Sequence, residues 1–381
     1  ALGAVSLVTD VSSEMVTAVL PLYLVAGLGL SPLGFGVLDG LYNGVSALVQ
    51  LLGGHLADRA RNHKLLAALG YGLSALCKPL LLLTHTLTPL GAVLALERTG
   101  KGLRTAPRDA LISLNSTPHN RGRAFGVHRA LDTTGALLGP LTAYLILRAA
   151  TDGYDAVFGV SGCIAALGVL LLLLFVPGTR GPAPQHPADL RAALTLLRDR
   201  RLRALTGAAA LLALTTVSDS FLYLMLQKRA DLDTRWFPLL PLGTATVFLL
   251  LAVPAGLLAD RIGRTPVFLT GHALLLAGYT LLLAGPATPA LPCLVLTLHG
   301  AFYAATDGVL PAAVADTVPE HLRGTGLALT GTAQALARFL CSLGIGAAWT
   351  AYGPHTTLTA ATAALTLAAA IATPLLRGRT P

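Results

Sequence analysis

Apolar residues come in runs of about twenty, and short polar stretches that gather the charges divide them. As a helix, a run of that length spans the roughly 30 Å of a bilayer's hydrocarbon. The runs parse at 3–26, 33–56, 65–85, 89–111, 122–147 and 156–176, then at 205–226, 237–259, 266–284, 289–312, 323–349 and 354–376. The pattern predicts an all-α integral membrane protein with twelve transmembrane helices in two six-helix, pseudo-symmetric lobes. The expected organisation is an N-terminal lobe over 1–176, a linker over 177–203 and a C-terminal lobe over 204–381.

The two halves repeat one another. Gly54-His55-Leu56-Ala57-Asp58-Arg59 returns 202 residues later as Gly256-Leu257-Leu258-Ala259-Asp260-Arg261, and Arg121-Gly122 returns at the same offset as Arg323-Gly324. Two coincidences at one spacing mark a tandem duplication. A parallel repeat requires each half to cross the membrane an even number of times, which six spans satisfy.

Composition agrees: 54% of the 381 residues are hydrophobic and 12% charged, too little polar surface to cover a soluble globule of that size. Cations collect in alternate connections: Arg59, Arg61 and Lys64; Arg121 and Arg123; Arg191 to Arg203; Arg261 and Arg264; Arg323; Arg377 and Arg379. The retention of positive charge on the cytoplasmic side then puts both termini in the cytoplasm. It also accounts for the net charge of +9 without a nucleic-acid partner. With no basic stretch or cleavage site ahead of it, the first run reads as a retained helix. Cys77, Cys163, Cys293 and Cys341 are isolated within spans, so neither a disulfide framework nor a metal site is expected. The linker opens on Pro177-Gly178-Thr179-Arg180-Gly181-Pro182 and continues into a short amphipathic pattern from Ala188 to Leu194, expected to lie along the membrane surface.

Charges also lie inside the spans, where insertion scales assign each about 2.5–3.5 kcal/mol at the bilayer centre. Asp10 and Glu14 are four apart on the first helix, hence on one face. Arg98, Lys101, Arg104 and Arg108 make a stripe on the fourth, and His128, Arg129 and Asp132 lie on the fifth. Counting depth at 1.5 Å per residue brings Asp10, Arg104 and Arg129 to one level and Glu14, Lys101 and Asp132 to the next. Asp132 is expected to engage Arg129 of its own helix. The second half carries Asp219, His299, Asp307 and Arg338 within spans, with Tyr223 and Tyr303 close by. Gly36, Gly40 and Gly44 on the second helix form a face that a partner helix can approach closely.

Three motifs resemble the major facilitator superfamily. Gly256 to Arg264 is similar to its loop signature G-x-L-A-D-R-x-G-R/K, while the first copy carries Arg61 where the pattern has Gly. Gly126, Gly135, Gly139, Pro140 and Ala143 resemble the fifth-helix G-x8-G-x3-G-P-x2-G of the drug:proton antiporters, with Ala in the last place. Arg98 and Gly102 resemble a fourth-helix motif whose next Gly is Arg104 here. The resemblance implies that Asp58, Arg59, Asp260, Arg261 and Arg264 latch a gate, and that eleven is the neighbour of helix two. It also implies that the first and fourth helices line a central cavity, with Arg98, Lys101, Arg104, Asp219, Tyr223 and Asp307 as substrate contacts. Glu14, Asp10 and Asp132 become the candidates for carrying a coupling proton.

The reading is a secondary transporter of the bacterial cytoplasmic membrane, exporting a small organic molecule in exchange for protons. It would work as a monomer and without cofactor. The alternatives are an exporter of divalent metal ions, through Asp10, Glu14, His128 and Asp132, or a transporter of an organic anion; the neighbouring Arg and Lys residues disfavour the first and suit the second. An enzyme is disfavoured, since neither HExxH nor GxSxG occurs, and without GxxxxGK[ST] the energy comes from a gradient.

Overall fold

A computed structural model describes residues 1–59, 62–115, 121–150, 153–178, 196, 198–286, 288–319 and 322–377; among them it is helical, without strands. α1 (Leu2–Leu22) runs into a π-helical turn at Tyr23–Gly27 and is followed by α2 (Pro32–Arg59), α3 (His63–Leu80), α4 (Leu87–Leu114), α5 (Arg121–Ala149) and α6 (Gly153–Phe175). The second half holds α7 (Arg200–Leu214), α8 (Asp219–Arg229), α9 (Leu239–Ile262), α10 (Arg264–Ala284), α11 (Ala290–Thr306), α12 (Val309–Thr317) and α13 (Arg323–Arg377). Gly353, at φ 80°, divides α13 into two spans; the positive φ is the glycine's contribution. Helix covers each expected apolar run. Most of the linker, including 188–194, lies outside the described residues.

The polarity of the molecule is inverted relative to a soluble protein. Leu83, Val253 and Leu250 are 75%, 70% and 69% exposed, whereas Lys78, Arg104 and Glu97 are 1%, 2% and 3% exposed. Only lipid as solvent makes that arrangement favourable. Nine of the described helical stretches are long and apolar enough to cross a membrane. α4 is outside those nine, with six charged residues between Glu97 and Asp109.

Two expected spans are broken within their length. Between α7 and α8, Thr215 and Thr216 turn their hydroxyls back onto the Leu212 carbonyl, at 3.0 and 2.9 Å, competing with the helical ladder. Ser218 is then extended, at φ −64° and ψ 153°, and starts α8 at Asp219. Between α11 and α12 the break falls at Asp307–Gly308. Pro311 has no N–H to offer the Asp307 carbonyl and crowds it, so the ladder is interrupted there.

Chain contacts divide the protein into two units: Ala1–Leu30, Leu41–Pro187 and Arg235–Leu239 form the first, and Ser31–Gly40, Ala188–Thr234 and Leu240–Pro381 the second. In the first, α1 packs on α5 and α6, and α3 on α4. Small residues set these crossings. A Cβ on Gly135 would lie 2.7 Å from the Leu7 carbonyl oxygen, and one on Gly139 would lie 2.7 Å from Glu14 Cβ and 2.9 Å from the Met15 nitrogen. Gly70 and Gly100 press backbone to backbone between α3 and α4, while Ser12 and Ser161 donate to each other's carbonyls at 2.8 Å between α1 and α6. The second unit repeats the scheme, α7 on α13 and α10 on α11, with Thr206 and Thr330 bonded at 2.9 Å. It includes the start of α2, where Gly36 meets the Ser342 backbone and Gly346. Gly344 has open space and is not part of that contact.

A buried trio braces α3 against α4. Glu97 takes Lys78 Nζ at 3.1 Å and Arg98 Nε at 2.6 Å, and the Arg98 guanidinium lies over the Tyr42 ring at 3.7 Å from its centroid. Removing the single anion strands two buried cations, so Glu97→Gln should cost about 3–5 kcal/mol. Lys78→Met leaves a matched Glu97–Arg98 pair and should cost far less. Equal losses, read as thermal unfolding midpoints in detergent, would show that the trio is not organised around Glu97. Gly135→Leu and Gly139→Leu should each overpack the α1–α5 crossing and destabilise by about 1–3 kcal/mol or more. Gly126→Leu faces open space and should unfold like the parent. A parent-like midpoint for Gly139→Leu would contradict the close approach.

Candidate functional site

α4 aims a line of bases at acids on α1 and α5. Arg104 Nη2 lies 3.2 Å from Asp10 Oδ1, and its guanidinium also covers the Tyr71 ring at 4.5 Å. One turn along, Lys101 Nζ is 3.3 Å from Glu14 Oε1. One turn the other way, Arg108 Nη1 is 3.6 Å from Asp132 Oδ1 and its Nε donates to Asp109 at 3.1 Å. The helical spacing read from the sequence thus gives three successive acid–base rungs. Gly135 and Gly139 sit where α5 crosses α1; a Cβ on Gly135 would lie 3.0 Å from Asp10 Cβ and one on Gly139 2.7 Å from Glu14 Cβ, so the glycine motif and the acids occupy one crossing.

The rungs differ in exposure. The Asp10 and Arg104 side chains are 12% and 3% exposed; those of Glu14 and Lys101 are 27% and 32% exposed. Asp10 on α1 and Asp132 on α5 stand on adjacent rungs, opposite Arg104 and Arg108 of α4. His128 is buried beside them with neither ring nitrogen bonded. Arg129 is 79% exposed and only 3.6 Å from Asp132, so the inter-helical Arg108 contact matches the one within α5. Arg98, expected among the substrate contacts, is buried in the Glu97 trio. Among the described residues, no group of three or more His, Cys, Asp or Glu side chains could hold a metal ion.

Lys78 and Glu97 were missed by sequence reasoning, although Glu97 borders the Arg98 motif. The available signal was composition alone: a Lys standing in an otherwise apolar run and a Glu at the head of the basic stripe.

In the second unit, Asp219 opens α8 directly after the break. Its Oδ1 accepts from Tyr303 Oη at 2.6 Å and lies 3.0 Å from His299 Nε2. His299 is 1% exposed in its side chain, and its Nδ1 is buried without a partner. Tyr223 is buried edge-on to that ring at 6.1 Å. Asp307 lies at the second break, exposed, and Arg338 of α13 is within electrostatic reach of both Asp219 and Asp307.

The expected gate residues of the second copy form a chain. Arg264 Nη2 is 3.8 Å from Asp260 and its Nε 3.2 Å from Asp316, at the end of α12; Asp316 was not foreseen. Arg261 is exposed. Gly263 stands at φ 99°, which explains the glycine of the loop pattern at that place. The side chains of Asp58 and Arg59, and residue 61, lie outside those described.

Comparison with known proteins agrees with this architecture. The profile of the Major Facilitator Superfamily matches residues 2–340 and 239–381. An uncharacterized MFS-type transporter of Methanocaldococcus jannaschii is 31% identical over 358 residues, 91% of this chain and 87% of that protein. An uncharacterized protein of Mycobacterium tuberculosis is 34% identical over 187 residues, 49% of this chain and 45% of its own. Among solved structures, a nucleoside transporter NupG variant superposes with TM-score 0.86 at 14% identity, covering 99% of each chain. A bacterial homologue of the human lysosomal transporter Spinster gives 0.75 at 15%, covering 98% and 93%, and a peptide transporter POT variant gives 0.76 at 18%, covering 99% and 94%. The chain is a multi-pass membrane transporter, not an enzyme, and it belongs to the Major Facilitator Superfamily.

Proposed function

We propose that this transporter exchanges a small organic solute for protons and works in the export direction, as a monomer in the bacterial cytoplasmic membrane with both termini in the cytoplasm. The observation that carries the reading is the pair of acids Asp10 and Asp132 on adjacent rungs of facing helices, each opposite a base of α4. Such a pair binds a proton when its bases are drawn away and releases it when they return, because like charges repel and opposite charges compensate. Glu14 and Lys101, the more exposed rung, stand where a solute or water can reach them. The glycine-proline helix of the antiporter pattern packs directly on these acids and supports the same reading. Organic solutes are favoured by the fold's neighbours, whose names give nucleosides and peptides as cargo. The bases of α4 suit an organic anion as well, and that is the second reading.

Everted membrane vesicles energised by a pH gradient test this directly. Amino acids, dipeptides, nucleosides, carboxylates and lipophilic amines are added in turn, and an exchanged solute dissipates the gradient. Asp10→Asn, Asp132→Asn and Glu14→Gln should each cut that dissipation at least tenfold. Parent-like rates in all three variants, or uptake indifferent to the gradient, would move the coupling elsewhere or abolish it. Asp260→Asn and Asp316→Asn loosen Arg264 without touching these acids, so they should slow exchange while leaving solute affinity within severalfold. A hundredfold loss of affinity in either would refute a gating role.

A further inference from the structure

The two units treat their interior charges differently. In the first, Asp10, Glu14, Glu97 and Asp132 each have a base within 4 Å, and Lys78, Arg98, Lys101, Arg104 and Arg108 each have an acid. In the second, among the described residues, Arg338 makes no hydrogen bond or ion pair, and its Nε is buried and bare. Asp307 makes none either. Asp219 commits Oδ1 to Tyr303 and His299 and leaves Oδ2 open, on a side chain 42% exposed.

Depth makes these vacant valences expensive. Asp219 and Asp307 flank breaks inside their spans, and Arg338 is near the middle of the first span of α13. An unpaired charge inside a span is costly and calls for a partner. Interrupted helices near the midplane are also where transporters hold their cargo. Arg338 lies in electrostatic reach of both carboxylates yet bonded to neither, so its donors and their acceptors remain available to a third party.

We propose that Arg338, Asp307 and Asp219 form a solute site that takes a zwitterion, a small organic molecule carrying both a protonated amine and an acidic group. A simple cation would satisfy the carboxylates and leave Arg338 bare beside added positive charge. A simple anion would satisfy Arg338 and leave the carboxylates repelled. A zwitterion answers both: its acid accepts from the guanidinium, and its ammonium has donors enough for Asp219 Oδ2 and Asp307. Tyr303 and His299 hold Asp219 in place from behind, and the ring of Tyr223 packs on His299.

The proposal rests on the reading of the chain as a transporter of organic solutes, but it fails separately, because binding in detergent involves no gradient. The full chain is titrated calorimetrically with L-alanine and L-alanyl-L-alanine, which hold their charges at two separations, and with the N-acetyl and C-amide form of each. At least one unblocked probe should bind, and blocking either end should weaken it tenfold or more. Arg338→Gln should bring the unblocked probe down to the affinity of its amide and leave the amide unchanged. Asp219→Asn and Asp307→Asn should do the same relative to the acetyl form, and Arg338→Lys should recover part of the loss. The site assignment is overturned if neither unblocked probe binds, if blocking an end costs nothing, or if Arg338→Gln still distinguishes acid from amide.

Discussion

A charge inside hydrocarbon needs a partner, and the arrangement of this molecule follows from how that need is met. α4 carries a base on successive turns through a region where each would oppose insertion. It is tolerable because α1 and α5 present acids at matching heights, and those acids reach only because the backbones lie close. Gly70 and Gly100 bring α3 against α4, and Gly135 and Gly139 bring α5 against α1 beside Asp10 and Glu14. Glycines and charges are therefore one device: side chains at the crossings would push the helices apart and pull the rungs open.

The same coupling explains which features could be read from sequence. Hydropathy located the spans because each is set by the thickness of the bilayer, a constraint local to the chain. The stripe of Arg98, Lys101, Arg104 and Arg108 was visible because a helical repeat is local too. Partnership is not. Arg98 shares the stripe's face in projection, yet its neighbour Glu97, itself bound by the distant Lys78, captures it, and only the α3–α4 crossing brings Lys78 there. Asp132 shows the same limit: the sequence offers Arg129 one turn away, while the packing brings Arg108 of another helix equally near. Asp316, which takes Arg264, belongs to a loop-end contact that no motif encodes.

The helix breaks were illegible for a different reason. Thr215, Thr216 and Pro311 leave an apolar run apolar, so a hydropathy profile passes over them, although each interferes with the hydrogen-bond ladder. In soluble proteins water would take up the freed carbonyls. In a bilayer, a break is stable only where protein or a water-filled recess surrounds it. Asp219 and Asp307 at the two breaks meet that requirement, since both remain open within a span.

Duplication then leaves a contrast that packing alone does not account for. The two units share helix pairings and loop signatures, so selection for the fold would act on them alike. Their interior charges have nonetheless diverged: the first unit is matched acid to base, while the second keeps a bare guanidinium near two open carboxylates. A self-matched network is indifferent to a neutral solute and responds chiefly to a change in its own protonation, because one proton unbalances a rung. An unmatched set is already unbalanced and is stabilised by whatever supplies the missing charges. On the proposed reading the halves thus bring different sensitivities to one transport cycle, the first to protons and the second to cargo. Exchange needs both, because a ligand shifts a conformational equilibrium only through its differential affinity for the two states.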